Sequence, residues 1–309
     1  MIVRALLAAG AMCLPVAASA LAPAEAGPLY PGPAAGSENW SEPRVVVECL
    51  GRRDVFNTSE PRYELFLPEP AAASGAALLD LPGGGLRVLG MGDVANAQVQ
   101  AMLDRGIAVM RLEYRTRQVP ANAIDRECTP PDPDAPPIKF PKLEIVNGNA
   151  NPAPDDPRGR EVLGLAVADA QAAFAMLHAR ADELGLDPNR IGAIGTSAGG
   201  GVAFGTMLDD SAPVETKPDF LVSIFGPSLQ DVFVPDPAPP LFLVTEADHG
   251  PVTDGLLAVF SIWKDAGEKV ELHVYEVPNF SMTAALWSPR LFAWMEERGI
   301  LSPAEGARP

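Results

Sequence analysis

Apolar residues follow two patterns along the chain: short, almost continuous runs, and a repeat every three or four residues. Ala76–Leu81 and Ile107–Tyr114 are almost continuously apolar, which is typical of strands buried on both faces. Apolar residues recur at three- and four-residue spacing from Leu163 to Leu177, which predicts a helix over Gly159–Leu184 with one buried face. The same reasoning predicts further strands at Arg44–Leu50, Arg62–Leu67, Arg190–Ile194, Phe220–Phe225, Leu241–Thr245 and Val270–Val277, with a polar turn between the first two. Further helices are predicted at Asp93–Leu103, Ser197–Leu208, Val252–Ala266 and Ser288–Arg298.

The order of these elements defines the fold class. Strands followed by helices imply an α/β protein with a mostly parallel sheet and helices on both faces. Residues 21–43 are rich in Pro, Gly, Ala and Ser and predict an extended, loosely ordered segment. A second interruption, 119–158, contains ten prolines and follows the fourth main strand. A loop of this length is either a functional lid or a floppy insertion, and the pattern does not choose between them.

The first twenty residues have the pattern of a secretion signal. Arg4 precedes an apolar run over Ala5–Ala18, and the segment closes on Ala18-Ser19-Ala20. An uncleaved anchor is the alternative, although the run is short and rich in alanine for a membrane span. We therefore expect a signal peptide at 1–20, an extension with the first strand at 21–60 and one α/β domain at 61–303, in a secreted or periplasmic protein.

Composition narrows the range of partners and cofactors. The chain is 47% apolar, so a sizeable hydrophobic core is expected. Its net charge is −17 and it has no basic stripe, which argues against nucleic acid as a binding partner. No membrane partner is expected once the signal is removed. Signal removal leaves Cys49 and Cys128, which in an exported chain predict one disulfide. The cysteine count excludes a Cys-rich zinc site, and no metal-ligand cluster is visible, so neither a metal nor another cofactor is expected.

The sharpest motif is Gly195-x-Ser197-x-Gly199, between an apolar strand and a helix rich in small residues. A serine on such a turn presents its hydroxyl above the sheet, and the glycines let strand and helix approach each other. The amide of Ala198 then faces a developing oxyanion at the helix N-terminus. A phosphate-binding turn and a purely structural turn are the alternatives, but the G-x-G-x-x-G spacing of the first is absent.

A second glycine run, Pro82–Gly85, ends an earlier strand. Backbone N–H groups in such a run can face the same oxyanion from the other side. An ordinary glycine turn is the alternative, and the serine turn downstream favours the functional interpretation.

Together these motifs resemble the secreted bacterial α/β-hydrolases of the acetylxylan-esterase-like, carbohydrate-esterase type. The resemblance covers nearly the whole chain after the signal, because the motifs follow one another in the order of that family. They are Leu29-Tyr-Pro-Gly, Asn57-Thr-Ser-Glu-Pro, Glu64-Leu-Phe-Leu-Pro, Leu81-Pro-Gly-Gly-Gly, Glu113-Tyr-Arg, Asp169-Ala-Gln-Ala, Gly185-Leu-Asp-Pro-Asn-Arg-Ile-Gly, Gly195-Thr-Ser-Ala-Gly-Gly, Pro239-Pro-Leu-Phe-Leu-Val and Val270-Glu-Leu-His-Val-Tyr-Glu.

The resemblance implies an α/β-hydrolase fold and assigns roles to named residues. Ser197 would be the nucleophile, and Gly84, Gly85 and Ala198 would supply the oxyanion N–H groups. It implies no metal or organic cofactor and a monomer by default.

The resemblance implies that Asp248, just past the strand Leu241–Thr245, is the catalytic acid. Glu246 is the nearby substitute, and an ordinary loop carboxylate is the alternative for Asp248. Arg115 and Asp169 are expected to form an ion pair that supports the loop behind the oxyanion hole.

The chain departs from the family at the general base. The family carries its histidine in a Gly-x-His-Gly segment after the last strand, where this sequence has Phe280. Phenylalanine can neither accept nor donate the serine proton. A relocated base at His249, oriented by Asp231 or Asp248, is one solution, and a solvent-exposed loop histidine is the alternative. The remaining histidines, for which structural roles are expected, are His178 and His273.

Two classes of function follow. The first is a serine esterase that cleaves small acyl esters, such as acetyl groups on carbohydrate, through an acyl-enzyme on Ser197. The second is a catalytically silent hydrolase fold that binds a ligand, because loss of one triad member can lower turnover about a millionfold. A peptidase of similar fold is a third, weaker possibility.

Overall fold

The computed structural model describes residues 21–126, 142–278 and 281–301. The strands are β1 (Glu25–Pro28), β2 (Val45–Cys49), β3 (Arg52–Phe56), β4 (Arg62–Phe66), β5 (Ala77–Leu81), β6 (Val88–Gly90), β7 (Ala108–Glu113), β8 (Ile191–Thr196), β9 (Leu221–Ile224), β10 (Leu241–Glu246) and β11 (Val270–Tyr275). The α-helices are α1 (Asp93–Leu103), α2 (Pro157–Ala179), α3 (Ala181–Leu184), α4 (Ala198–Leu208), α5 (Pro251–Asp265) and α6 (Ala284–Glu297).

Eight strands form the main sheet in the order β1-β4-β7-β5-β8-β9-β10-β11. The pairs β1–β4 and β4–β7 are antiparallel, and every later pair in that order is parallel. The mostly parallel sheet is therefore confirmed. The carboxyl ends of its parallel strands share one edge, which is where open α/β sheets carry their sites.

Apolar side chains cover both faces of this sheet. One core contains buried residues from α2, α4 and α5, such as Phe174, Phe204 and Trp263. The other contains residues from α1 and α6, such as Met102 and Trp294. The strands between them are buried on both faces, which explains their mostly apolar sequences.

The helix α2 is long and apolar enough to cross a membrane by length and composition alone. Its apolar face instead packs into the core, with Val162, Ala166 and Phe174 fully buried. This burial is typical of the core helix of an α/β domain.

Three strands were not predicted, and two of them, β1 and β3, correct the expectation for the first sixty residues. Glu25–Pro28 lies in the segment expected to be loosely ordered, yet it pairs with β4 at the edge of the main sheet. β3 occupies the expected polar turn and joins β2 and β6 in a second, three-stranded sheet. These strands are short and only partly apolar, so their pattern is weak, and pairing with other strands stabilises them.

Candidate active site

The predicted nucleophile lies on a strained turn between β8 and α4. Ser197 has φ 51° and ψ −125°, a conformation that costs a non-glycine residue about 1–3 kcal/mol. Close packing holds the turn: a Cβ on Gly199 would lie 2.0 Å from the Leu81 oxygen, and one on Gly195 would lie 2.6 Å from the Gly199 oxygen. The Ser197 amide donates to the Ile224 oxygen at 3.1 Å, which ties the turn to β9. Both motif glycines are thus required sterically, as the sequence predicted.

The glycine loop after β5 lies directly against this turn. A Cβ on Gly83 would be 2.9 Å from the Ser197 Cβ, so the two segments touch at their backbones. Gly84 and Gly85 have φ values of 137° and 64°, which L side chains rarely adopt. Gly85 lines the same cavity as Ser197 and Ala198. The structure therefore brings the loop and the serine together, and it adds Gly83, which the sequence analysis did not single out.

A buried tyrosine fixes the position of this loop. The Tyr114 hydroxyl donates to the Pro82 oxygen at 2.5 Å, and its side chain is fully buried. Burial raises the pKa of Tyr114, so its hydroxyl stays protonated and remains a donor. The signal for this role was the Tyr inside Glu113-Tyr-Arg, whose function cannot be read without the fold.

The predicted ion pair between Arg115 and Asp169 is confirmed. Arg115 Nη2 lies 2.7 Å from Asp169 Oδ1, both side chains are buried, and the Tyr30 hydroxyl also donates to Asp169 at 2.9 Å. Burial raises the pKa of Asp169, although the bonds from Arg115 oppose that shift. This network holds the N-terminal segment and α2 against the end of β7.

At the end of β10 the structure separates the two candidate acids. Asp248 is exposed, whereas the Glu246 side chain is fully buried. Glu246 Oε1 accepts the Met282 amide at 3.2 Å, and its Oε2 lies 3.2 Å from His249 Nδ1. The carboxylate next to the histidine is therefore Glu246, the residue considered as the substitute.

His249 is buried, not solvent-exposed as the alternative interpretation expected. Its ring stacks on Phe225 with 5.6 Å between ring centroids, and Phe225 follows the residue whose carbonyl binds the Ser197 amide. Burial lowers the pKa of His249 and outweighs the opposing effect of Glu246, so the neutral ring is favoured. Asp231, one of the two carboxylates expected to orient this histidine, accepts amide donors from Asn147 and Asn149.

The other histidines lie away from the serine turn. His273 is in the edge strand β11, where its Nε2 is 2.7 Å from Glu271 Oε1. His178 is near the end of α2. Phe280, the residue in the place of the family histidine, lies outside the described residues. Among the described residues, no group of three His, Cys, Asp or Glu side chains is arranged to hold a metal ion.

A cavity of about 360 Å³ opens beside Ser197 and has the size of a small-molecule site. Most of its walls are apolar or glycine. They comprise Gly85, Leu86, Arg87, Arg117, Leu143, Ala150, Asn151, Pro152, Ala153, Gly159, Leu163, Ser197, Ala198, Pro227, Leu229, Pro251 and Val252. Leu143 and the run from Ala150 to Ala153 belong to the Pro-rich insertion, so its described part shapes the cavity.

Cys49, at the end of β2, is disulfide-bonded. Its predicted partner, Cys128, lies outside the described residues. The pairing of these two cysteines therefore stays a prediction.

No model of a known protein family matches the chain, and no curated protein matches its sequence. Solved structures do resemble it. An acetyl ester-xyloside bifunctional hydrolase from Caldicellulosiruptor lactoaceticus is 18% identical with a TM-score of 0.56, over 92% of this chain and 100% of that one.

Two further structures extend the likeness. An esterase from Thermogutta terrifontis with butyrate bound is 18% identical, with a TM-score of 0.53 over 79% of this chain and 92% of that one. An α/β-hydrolase from a Medee basin deep-sea metagenome library is 16% identical, with a TM-score of 0.51 over 82% and 97%. At these identities the likeness concerns the fold. This chain has the α/β-hydrolase fold, with a serine on the turn that follows β8.

Proposed function

We propose that this protein is a serine hydrolase of the esterase type that cleaves small acyl esters through an acyl-enzyme on Ser197. One observation carries the proposal: the strained Ser197 turn opens, together with Gly85 and Ala198, into an apolar cavity. The esterases among the structural neighbours support it, including the acetyl ester-xyloside hydrolase and the Thermogutta enzyme, which has also been solved after phosphorylation by paraoxon.

In this mechanism Ser197 Oγ attacks the carbonyl carbon of the ester. We propose that the amides of Ala198 and of the loop at Gly84 and Gly85 stabilise the negative charge on the carbonyl oxygen, as preorganised donors do in an oxyanion hole. Collapse of the intermediate breaks the bond to the alcohol, which leaves with a proton from the general acid. Water then attacks the acyl-enzyme by the reverse steps, releasing the acid and restoring the serine.

We assign the base to His249, with Glu246 as the carboxylate that orients it. Three observations support this assignment: the 3.2 Å contact between Nδ1 and Glu246, the lowered pKa of His249, and the stacking of its ring on Phe225, which follows the residue that accepts the Ser197 amide. A neutral imidazole is the form that can accept the serine proton. The alternative acid is Asp248, which the family resemblance implies. The two assignments differ in whether replacing Glu246 or replacing Asp248 abolishes activity.

The acyl group is proposed to be short, such as acetyl, and the alcohol to be a small molecule or carbohydrate. We further propose that the protein is secreted or periplasmic. The disulfide at Cys49 supports an oxidising compartment, and the first twenty residues have the pattern of a signal.

A silent, ligand-binding α/β-hydrolase is the second candidate function. Phe280 favours it, because the family position of the general base holds a residue without proton-transfer chemistry. Hydrolysis of 4-nitrophenyl acetate by the purified protein and by Ser197→Ala separates the two. A serine-dependent rate of ordinary esterase size supports the enzyme, whereas equal rates for both proteins would favour the binding protein.

A further inference from the structure

The cavity beside Ser197 differs in charge from the rest of this acidic protein. The chain has 40 acidic and 23 basic residues. Yet the only ionisable side chains that line this cavity, among the described residues, are Arg87 and Arg117. Within the described part of the chain, the wall of this cavity therefore offers a substrate cations and no carboxylate.

The two arginines are not equivalent. Arg117 Nη2 lies 2.6 Å from Asp156 Oδ2, so its charge is compensated within the protein. The exposed Arg87 side chain has no hydrogen bond or ion pair in the described part of the chain, where most arginines pair with a carboxylate. Arg87 thus remains available to an anion supplied from solution.

The backbone places Arg87 close to the reacting atoms. It lies two residues after Gly85, on a turn in which the amides of Arg87 and Val88 both donate to the Gly84 oxygen. The Arg117 amide donates to the Leu86 oxygen at 2.7 Å and fixes the far side of this turn. The segment that carries the oxyanion glycines therefore also carries the guanidinium at the cavity rim.

We propose that Arg87 makes this site selective for esters that carry a carboxylate several bonds from the scissile carbonyl. The inference rests on the proposed esterase function and specifies its substrate class. A guanidinium binds a carboxylate through two parallel hydrogen bonds, which a neutral amide of the same shape cannot replace. The carboxylate belongs either to the alcohol or to the acyl part, and matched substrates distinguish these sources.

The first test compares pairs of esters that differ in one charge. The alcohol-side pair is 4-acetoxybenzoate and 4-acetoxybenzamide, and the acyl-side pair is the 4-nitrophenyl monoesters of adipate and of adipamic acid, whose chain is too long for the carboxylate to attack its own ester through a five-membered ring. Each kcat/KM is divided by the spontaneous rate of that ester, which removes intrinsic reactivity. We expect the anionic member of one pair to be favoured by about tenfold.

Variants then assign this preference to one side chain. Arg87→Gln should bring the ratio close to one, and Arg87→Lys should restore part of it. Arg62→Gln is the matched control, because Arg62 is also exposed and lies in β4, away from the cavity. A ratio near one in both pairs for the wild type, or a preference that survives Arg87→Gln, would overturn the proposal.

Binding to Ser197→Ala separates this inference from the esterase function. Calorimetry with the two acetoxy compounds measures the ratio of their Kd values without turnover. Tighter binding of the anion that Arg87→Gln abolishes supports the inference even in a silent protein. Equal Kd values, together with equal corrected rates in the acyl-side pair, contradict it even in an active esterase.

Discussion

Replacing Gly83 by alanine tests how closely the oxyanion loop must approach the nucleophile. The added Cβ would lie 2.8 Å from the Thr196 oxygen and 2.9 Å from the Ser197 Cβ, both closer than real contacts of this kind. Gly83 does not have a positive φ, so alanine suits its backbone and only the close approach is affected. The loop must move away from the serine turn by a few tenths of an ångström.

We expect two measurable effects of Gly83→Ala. Overpacking should lower the free energy of unfolding in urea by about 1–3 kcal/mol. Displacement of the N–H donors should lower kcat/KM for 4-nitrophenyl acetate by about 10²-fold, the usual effect of one lost oxyanion donor. The two effects together would show that stability and activity depend on the same contact.

Gly164→Ala is the matched control for this experiment. Gly164 is an exposed helical glycine of α2 with no atom within 4 Å of an added Cβ. This variant should be more stable by up to about 1 kcal/mol with unchanged kcat/KM. A Gly83→Ala protein that matches the wild type in both stability and kcat/KM would refute the close approach of loop and serine turn.

Three further perturbations test separate parts of the account. Tyr114→Phe leaves the buried Pro82 oxygen without its donor, so the free energy of unfolding in urea should fall by about 1–3 kcal/mol. The variant should lower kcat by a larger factor than it changes KM. Wild-type stability would contradict the role of this hydrogen bond. Because protonation removes the base, the lowered pKa of His249 predicts that kcat/KM falls with decreasing pH only below pH 6.5. A fall in kcat/KM that begins above pH 6.5 on the acid side would exclude His249 as the base. Thiol titration of the exported, denatured protein should find neither Cys49 nor Cys128 reactive until a reductant is added, and two reactive thiols would disprove their pairing.

The sequence predicted the elements whose residues are buried on both faces. The bounds of α1 match the prediction, and the strands from β7 to β11 lie within a few residues of it, because continuous apolar runs with glycine or proline at their ends leave few alternatives. The pairings of β1 with β4 and of β3 with β6 join segments that are distant in sequence. Local pattern does not encode such pairing.

The site was predictable only where it depends on a local motif. The positions of Ser197 and of the glycine loop in the site could be predicted because their backbone geometry requires glycines at fixed spacing. The contact between Glu246 and His249 depends on which side chains turn inward at the end of β10, and two carboxylates two residues apart look alike in sequence. The hydrogen bond from Tyr114 likewise joins two strands that are separated along the chain.

Covalent labelling of Ser197 tests the central claim most directly. The purified protein and its Ser197→Ala variant are incubated with paraoxon, and peptide mapping by mass spectrometry locates any diethylphosphoryl group. We predict one modified peptide, with the group on Ser197, and no modification in Ser197→Ala. An unmodified Ser197 under conditions that label a control esterase, or equal labelling of both proteins at another residue, would contradict the claim that this turn carries an activated nucleophile.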